Sequence, residues 1–199
     1  MAGTADSWRG TALNIGFGRF YGQLAVPGAG GRLTLDATTN TPDSIANPNA
    51  FHFGVTQSGA KLDIKVTYND FQADEFRGPL ATIVTSVAMS IDMSLEAGTD
   101  MDVVKNLLAG VGTYATGAGF KEVAIGSLTI AYQCVAHVFP LVEDPTKVGV
   151  FMIYNGINKT GVGFEQARTK QGVIPVNFMG YEVTTRALTD TLGKYWKQI

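Results

Sequence analysis

Residues 83–95 read Ile83-Val84-Thr85-Ser86-Val87-Ala88-Met89-Ser90-Ile91-Asp92-Met93-Ser94-Leu95, and the alternation in this run decides the fold. Odd positions are mostly apolar and even positions mostly polar, with Val84 and Ala88 as exceptions, so the run is a strand with one buried and one wet face. At about 3.3 Å per residue it spans roughly 45 Å, against roughly 17–20 Å for an ordinary strand. Such a strand needs a large sheet, larger than this chain closes alone.

Just beyond it, Glu96-Ala97-Gly98 breaks the strand. Thr99 then reads as a helix N-cap, with Asp102 three residues on in a variant capping box. Met101, Val104, Leu107, Leu108 and Val111 follow at helical spacing, with Gly110 as a left-handed terminator. This predicts a helix over about 100–109, packed on a sheet. Upstream, Phe51, Phe53 and Val55 alternate, and Leu62, Ile64, Val66 and Tyr68 alternate with Asp63, Lys65 and Thr67. Ser58-Gly59 between the two runs predicts a hairpin turn.

Further out, Glu122–Phe139 reads as a strand with a bulge near Gly126-Ser127, because its apolar phase switches there. Val148–Tyr154 is apolar on both faces, as in a buried strand, and Phe164–Thr169 and Val173–Val183 supply the last strands. Leu188, Leu192, Tyr195, Trp196 and Ile199 recur at helical spacing with an Asp190–Lys194 pair. The glycine-rich start and this tail, with Trp8, Phe17, Tyr195 and Trp196 as contact candidates, read as arms over residues 1–31 and 184–199. Residues 37–50 form a long polar loop with two prolines and one large apolar residue, Ile45. The expected organisation is one mainly β domain over 1–199, a two-sheet sandwich or barrel with a single flanking helix.

Composition points toward assembly. Charged residues make up 16% of the chain, against about 25% in average soluble domains. With 24 glycines and many small polar residues, this suggests a surface covered by other subunits. The net charge of −2 is uneven: residues 63–102 hold eight acidic and two basic groups. No basic–aromatic patch suggests gripping nucleic acid.

Enzyme chemistry finds little support. The two histidines, His52 and His137, each fall in a strand phase, and the lone Cys134 excludes an internal disulfide. Cys134 and His137 are three apart, which sets them on opposite faces of a strand. Gly110-Val-Gly112-Thr-Tyr-Ala115 matches a dinucleotide-type glycine pattern but follows a helix instead of a strand. The expectation is no enzyme, no metal and no cofactor. The charge-free Val123–Val142 run holds Gly126, Gln133, His137 and Pro140, so a membrane span is not expected, and Met1–Arg9 shows no apolar leader.

The order of elements now resembles a known family. A glycine-rich N-terminal arm, a long polar loop, the Ser58-Gly59 turn and Asp74-Glu75-Phe76-Arg77-Gly78 precede the long strand. The strand-to-helix turn at Leu95–Gly110 and the closing Gly172-Val-Ile-Pro-Val-Asn-Phe178 follow it. This arrangement resembles the major tail tube proteins of tailed bacteriophages over most of the chain, a fold shared with type VI secretion tube proteins. The resemblance implies six copies per ring and rings stacked into a hollow tube that carries genomic DNA to the host. It implies a place in the virion tail, assembly in the host cytoplasm, and tape measure, terminator and baseplate proteins as partners. A sheath protein joins them if the tail contracts. Another virion part, a connector or a decoration protein, and a monomeric ligand-binding β-barrel are the competing readings.

On this reading Asp63, Asp92 and Glu96 are expected to line the lumen, because they fall on the polar phases of their strands. Thr38, Asn40, Pro42, Ile45 and Asn47 are expected to stack one ring on the next, in a loop that is mobile in the free subunit.

Overall fold

The computed structural model describes residues 18–71, 81–96, 100–108, 112–126, 131–163 and 173–199. The alternating runs become strands β1 (Arg19–Gly22), β2 (Phe51–Phe71) and β3 (Ala81–Leu95), followed by helix α1 (Met101–Leu107). Then come β4 (Gly112–Gly117), β5 (Phe120–Ile125), β6 (Gln133–Pro140), β7 (Val148–Asn158), β8 (Ile174–Gly180) and β9 (Gly193–Lys197). The main sheet runs β6-β1-β2-β3-β8-β7-β9, and a further β6–β7 pairing closes it into a flattened antiparallel barrel. β4 and β5 form a separate two-stranded sheet. The chain is mainly β with one helix, as the alternation requires.

Two apolar layers hold it. Inside the barrel, Phe20, Phe53, Ile91, Leu95, Phe151, Ile153 and Phe178 are essentially excluded from solvent, joined by Val103 and Leu107 of α1. The Phe20 ring lies 5.3 Å from Phe53 and 5.2 Å from Phe178, within the range of favourable aromatic packing. Each such side chain contributes roughly 1.5–3 kcal/mol by burial. On the opposite face of β6 and β7, Cys134, Ala136, Val138, Val150, Met152 and Tyr154 form a second cluster with Leu24 and Leu33. β7 is thus sandwiched between two layers, which is why Val148–Tyr154 is apolar on both faces.

Several sequence expectations change. Ser58-Gly59 is not a turn: β2 runs on unbroken, and its register against β3 jumps between Thr56↔Leu95 and Ala60↔Met93. Gly59, at φ 83°, belongs to that irregularity. The helix cap is Asp100, whose carboxylate accepts from the Asp102 amide at 2.9 Å; Thr99 and Gly110 lie outside the described residues. Glu122–Phe139 is not one strand, since β5 and β6 belong to different sheets and Gly126, at φ 152°, follows the end of β5. Phe164–Thr169 falls outside the described residues.

The two arms also change. The chain enters the core by Phe20, well inside the expected 1–31 arm, while Trp8 and Phe17 lie outside the described residues. The tail is not helical and not free. β9 pairs along Gly149–Ile153 of β7, so Trp196 packs on the outer cluster and Tyr195 stays half exposed. Asp190 pairs with Arg186, not Lys194, and the Lys194 ammonium donates to the Gly31 carbonyl at 2.8 Å.

Candidate assembly surface

The longest strands overrun their neighbours. β1 covers β2 only over Phe51–Val55, and β8 covers β3 only over Ser90–Leu95. Beyond those limits β2 and β3 pair with each other alone, through Phe71↔Ala81, among the described residues. The result is an arm whose β3 strand, Ala81–Met89, is about 30 Å long at 3.3–3.4 Å per residue. Among the described residues, neither of its outer edges has a strand partner for its backbone donors and acceptors.

One face of the arm is an apolar ladder. Leu62 faces Ile91, Ile64 faces Met89, and Val66 faces Val87 across the strands. Ile91 and Met89 are buried in the body, but Ile64 is 53% exposed, Val66 39% and Val87 42%. The core stripe therefore continues out of the core into solvent. A second register shift, between Thr67 and Tyr68, sets Tyr68 opposite Val84 and prolongs the ladder. That shift accounts for Val84, which breaks the odd-position rule in the sequence: an extra β3 residue, Thr85, moves the apolar phase from odd to even.

The other face is polar. Lys61 stands opposite Asp92, Asp63 opposite Ser90, Lys65 opposite Ala88, and Thr67 opposite Ser86. Asp63 and Asp92 share this face, and the Asp92 carboxylate accepts a hydrogen bond from the Asn177 amide of β8. Lys61 and Lys65 share it as well, with Lys65 3.7 Å from Asp63. Glu96 sits just past β3, its amide bonded to the Val55 carbonyl. The face thus mixes two carboxylates with two ammonium groups, and is much closer to neutral than the −6 of residues 63–102 suggests. Register brings in Lys61, which lies just before the acidic segment, and sets it opposite Asp92.

The 37–50 loop is not free. Asp36 accepts from the amides of Thr38 and Thr39, and Asp43 from those of Ile45 and Ala46, which builds two side-chain-stabilised turns. Pro42 is buried and bridges Leu35. Asn47 is buried and accepts from the Ala25 amide at 3.2 Å, while Asn40 donates to the Thr146 carbonyl and accepts from Gln198. The expected mobile stacking loop is therefore pinned to the body, with Thr38 and Ile45 left at the surface. Its polar residues bond to one another and to neighbouring backbone, which offsets its lack of apolar side chains.

The barrel interior is filled by aromatic and aliphatic side chains. An open cleft of about 660 Å³ lies outside it, on the polar face, between Lys61, Asp92, Ser94 and Thr160. Cys134 and His137 belong to opposite faces of β6, and no group of three His, Cys, Asp or Glu residues capable of holding a metal exists among the described residues. No helix among the described residues is long and apolar enough to cross a membrane. Compared with known proteins, the chain matches no protein-family model and no curated protein.

Proposed function

We propose that this protein is a structural subunit that closes into rings through its β2–β3 arm, and that the rings stack into the hollow tail tube of a bacteriophage. The observation that carries the reading is the arm itself: an apolar ladder and two edges that no described strand covers. Exposed edges of this length are an aggregation hazard unless a defined partner takes them. A ring solves this with one rotation: the β3 edge of each copy meets the β2 edge of the next, and antiparallel order is preserved all the way round. Every copy then has both edges paired, and the apolar ladder turns toward the bodies of the subunits. The polar face, with Lys61, Asp63, Lys65 and Asp92, lines the channel. A near-neutral, hydrated wall suits the passage of DNA, because it neither grips phosphates nor strongly repels them.

A monomeric ligand-binding barrel finds less support, since aromatic side chains occupy the interior where a ligand would sit. The test is electron microscopy of the concentrated protein beside the double variant Ile64→Lys/Val87→Lys. Both residues are exposed in the subunit, so the variant should keep its unfolding free energy within about 0.5 kcal/mol of wild type. Wild-type rings or tubes that vanish in the variant are the expected result. A wild type that stays monomeric at high concentration, or a variant that assembles normally, overturns the reading.

A further inference from the structure

The inward face of β6 carries a histidine that the assembly reading does not use. His137 lies opposite Phe20 of β1 and Phe151 of β7, and its ring stacks 5.3 Å from Phe139. It is 3% exposed, and neither ring nitrogen has a hydrogen-bond partner among the described residues. Gly18, where the chain enters β1, forms the cover: a Cβ there would stand 1.9 Å from His137 Nε2. Gly18 is itself held by Thr56, with the Thr56 amide donating to the Gly18 carbonyl at 3.1 Å.

The surroundings offer an imidazolium nothing. Strands β1, β6 and β7 carry one charged residue between them, Arg19, which stands opposite Val138 on the outer face. His52, Tyr21, Cys134 and Tyr154 are on that outer face too. From β9, Tyr195 stacks on Phe139, while the ammonium groups of Lys194 and Lys197 are engaged by the Gly31 carbonyl and Glu143. No carboxylate among the described residues points at the ring. Burial accordingly pushes the imidazole down to about 4 from its ordinary 6.5. A protonated ring has to reach water. Of the strands paired with β6, β7 is long and β1 has 4 residues, so the easier exit is under Gly18.

We propose that His137 is an acid-operated latch on β1: neutral, it stays sealed beneath Gly18, and on protonation it lifts β1 from β6. The direction follows from proton counting. The open state binds the proton more tightly than the closed one, so opening grows as pH falls through 6.5 and levels off below about 4. Between pH 7 and pH 5 the opening equilibrium rises by about 20-fold from this group alone.

Hydrogen exchange of the full-length protein at pH 7 and pH 5, corrected for intrinsic rates, tests the latch. Peptides over Arg19–Gly22 should open about 20-fold more readily at pH 5, while Ile91–Leu95 of β3 changes far less. His137→Leu should remove the response and His52→Gln should keep it. In wild type, the imidazole resonance of His137 should titrate with the β1 exposure, a readout that survives if His137→Leu fails to fold. A β1 whose protection ignores pH, equal loosening of the whole core, a response that persists without His137, or a ring that titrates apart from the exposure would each overturn the proposal.

Discussion

Arg186 joins three parts of the chain at one guanidinium. Its Nη1 donates to the Pro27 carbonyl and its Nη2 to the Asp190 carboxylate, each at 2.6 Å, while its Nε donates to the Asp190 carbonyl. The plane also lies 4.1 Å from the Tyr154 ring centre, and the Tyr154 hydroxyl donates to Asp190. Burial works to raise the Asp190 carboxyl, but hydrogen bonds from Arg186, Tyr154 and the Gly30 amide outweigh it and hold it below the usual carboxylate range. Burial, and then the bond to Asp190, push the Tyr154 phenol up. The glycine-rich stretch at 27–31 is thus a clamped turn. Replacing Arg186 by Ala removes its own bonds and leaves a mostly enclosed carboxylate without its counter-charge, held only by Tyr154 and the Gly30 amide, so a loss of roughly 2–4 kcal/mol is expected. Urea denaturation measures it. Arg186→Lys should recover little, because an ammonium cannot reach both carbonyl and carboxylate in the same plane.

At the scale of elements, β9 shows where pattern reading fails and what it costs to move a strand. A Cβ on Gly193 would stand 2.1 Å from the Met152 carbonyl oxygen, a backbone atom with nowhere to go. Gly193→Ala should therefore push β9 off β7 and uncover Trp196. In a Trp8→Phe background, the single remaining tryptophan should red-shift in fluorescence, with a stability loss of about 1–3 kcal/mol. In the sequence this tail reads as helical because Leu188, Leu192, Tyr195 and Trp196 fall three or four apart. The spacing is coincidental: Leu192 enters the inner core and Trp196 the outer layer, on a strand, while Leu188 stays exposed. β3 was legible because its polar and apolar residues alternate with few exceptions. β2 was half legible: alternation was read on either side of Ser58-Gly59, but the extra residues that shift register there look like a turn. The arm escaped notice because its exposure depends on how far β1 and β8 reach. No periodicity within β2 or β3 carries that information.

At the scale of the whole molecule, the polar face of the arm is set by a balance of charges that registry imposes. Asp63 and Asp92 alone would make a channel wall acidic; Lys61 and Lys65 on the same face offset them. Each charge acts over roughly 8–10 Å at physiological salt, Lys65 is 3.7 Å from Asp63 and Lys61 faces Asp92 across the strands, so opposite charges offset each other locally. In the proposed ring, removing only these carboxylates would leave two ammonium groups per copy facing the channel. Asp63→Asn/Asp92→Asn keeps side-chain size and an oxygen that can still accept from Asn177, so the fold and the arm should survive. In tubes checked by microscopy, the variant should retain double-stranded DNA in co-sedimentation at about 50 mM salt and release it by about 300 mM, since phosphate contacts weaken steeply with salt. Wild-type tubes should retain little at either salt. Adding Lys61→Gln/Lys65→Gln to the variant should abolish retention, because the wall then carries neither sign. If the variant tubes ignore DNA at low salt, the polar face is not the channel wall. The apolar ladder would then have to be sought on the inside, where only a partner filling the channel could cover it.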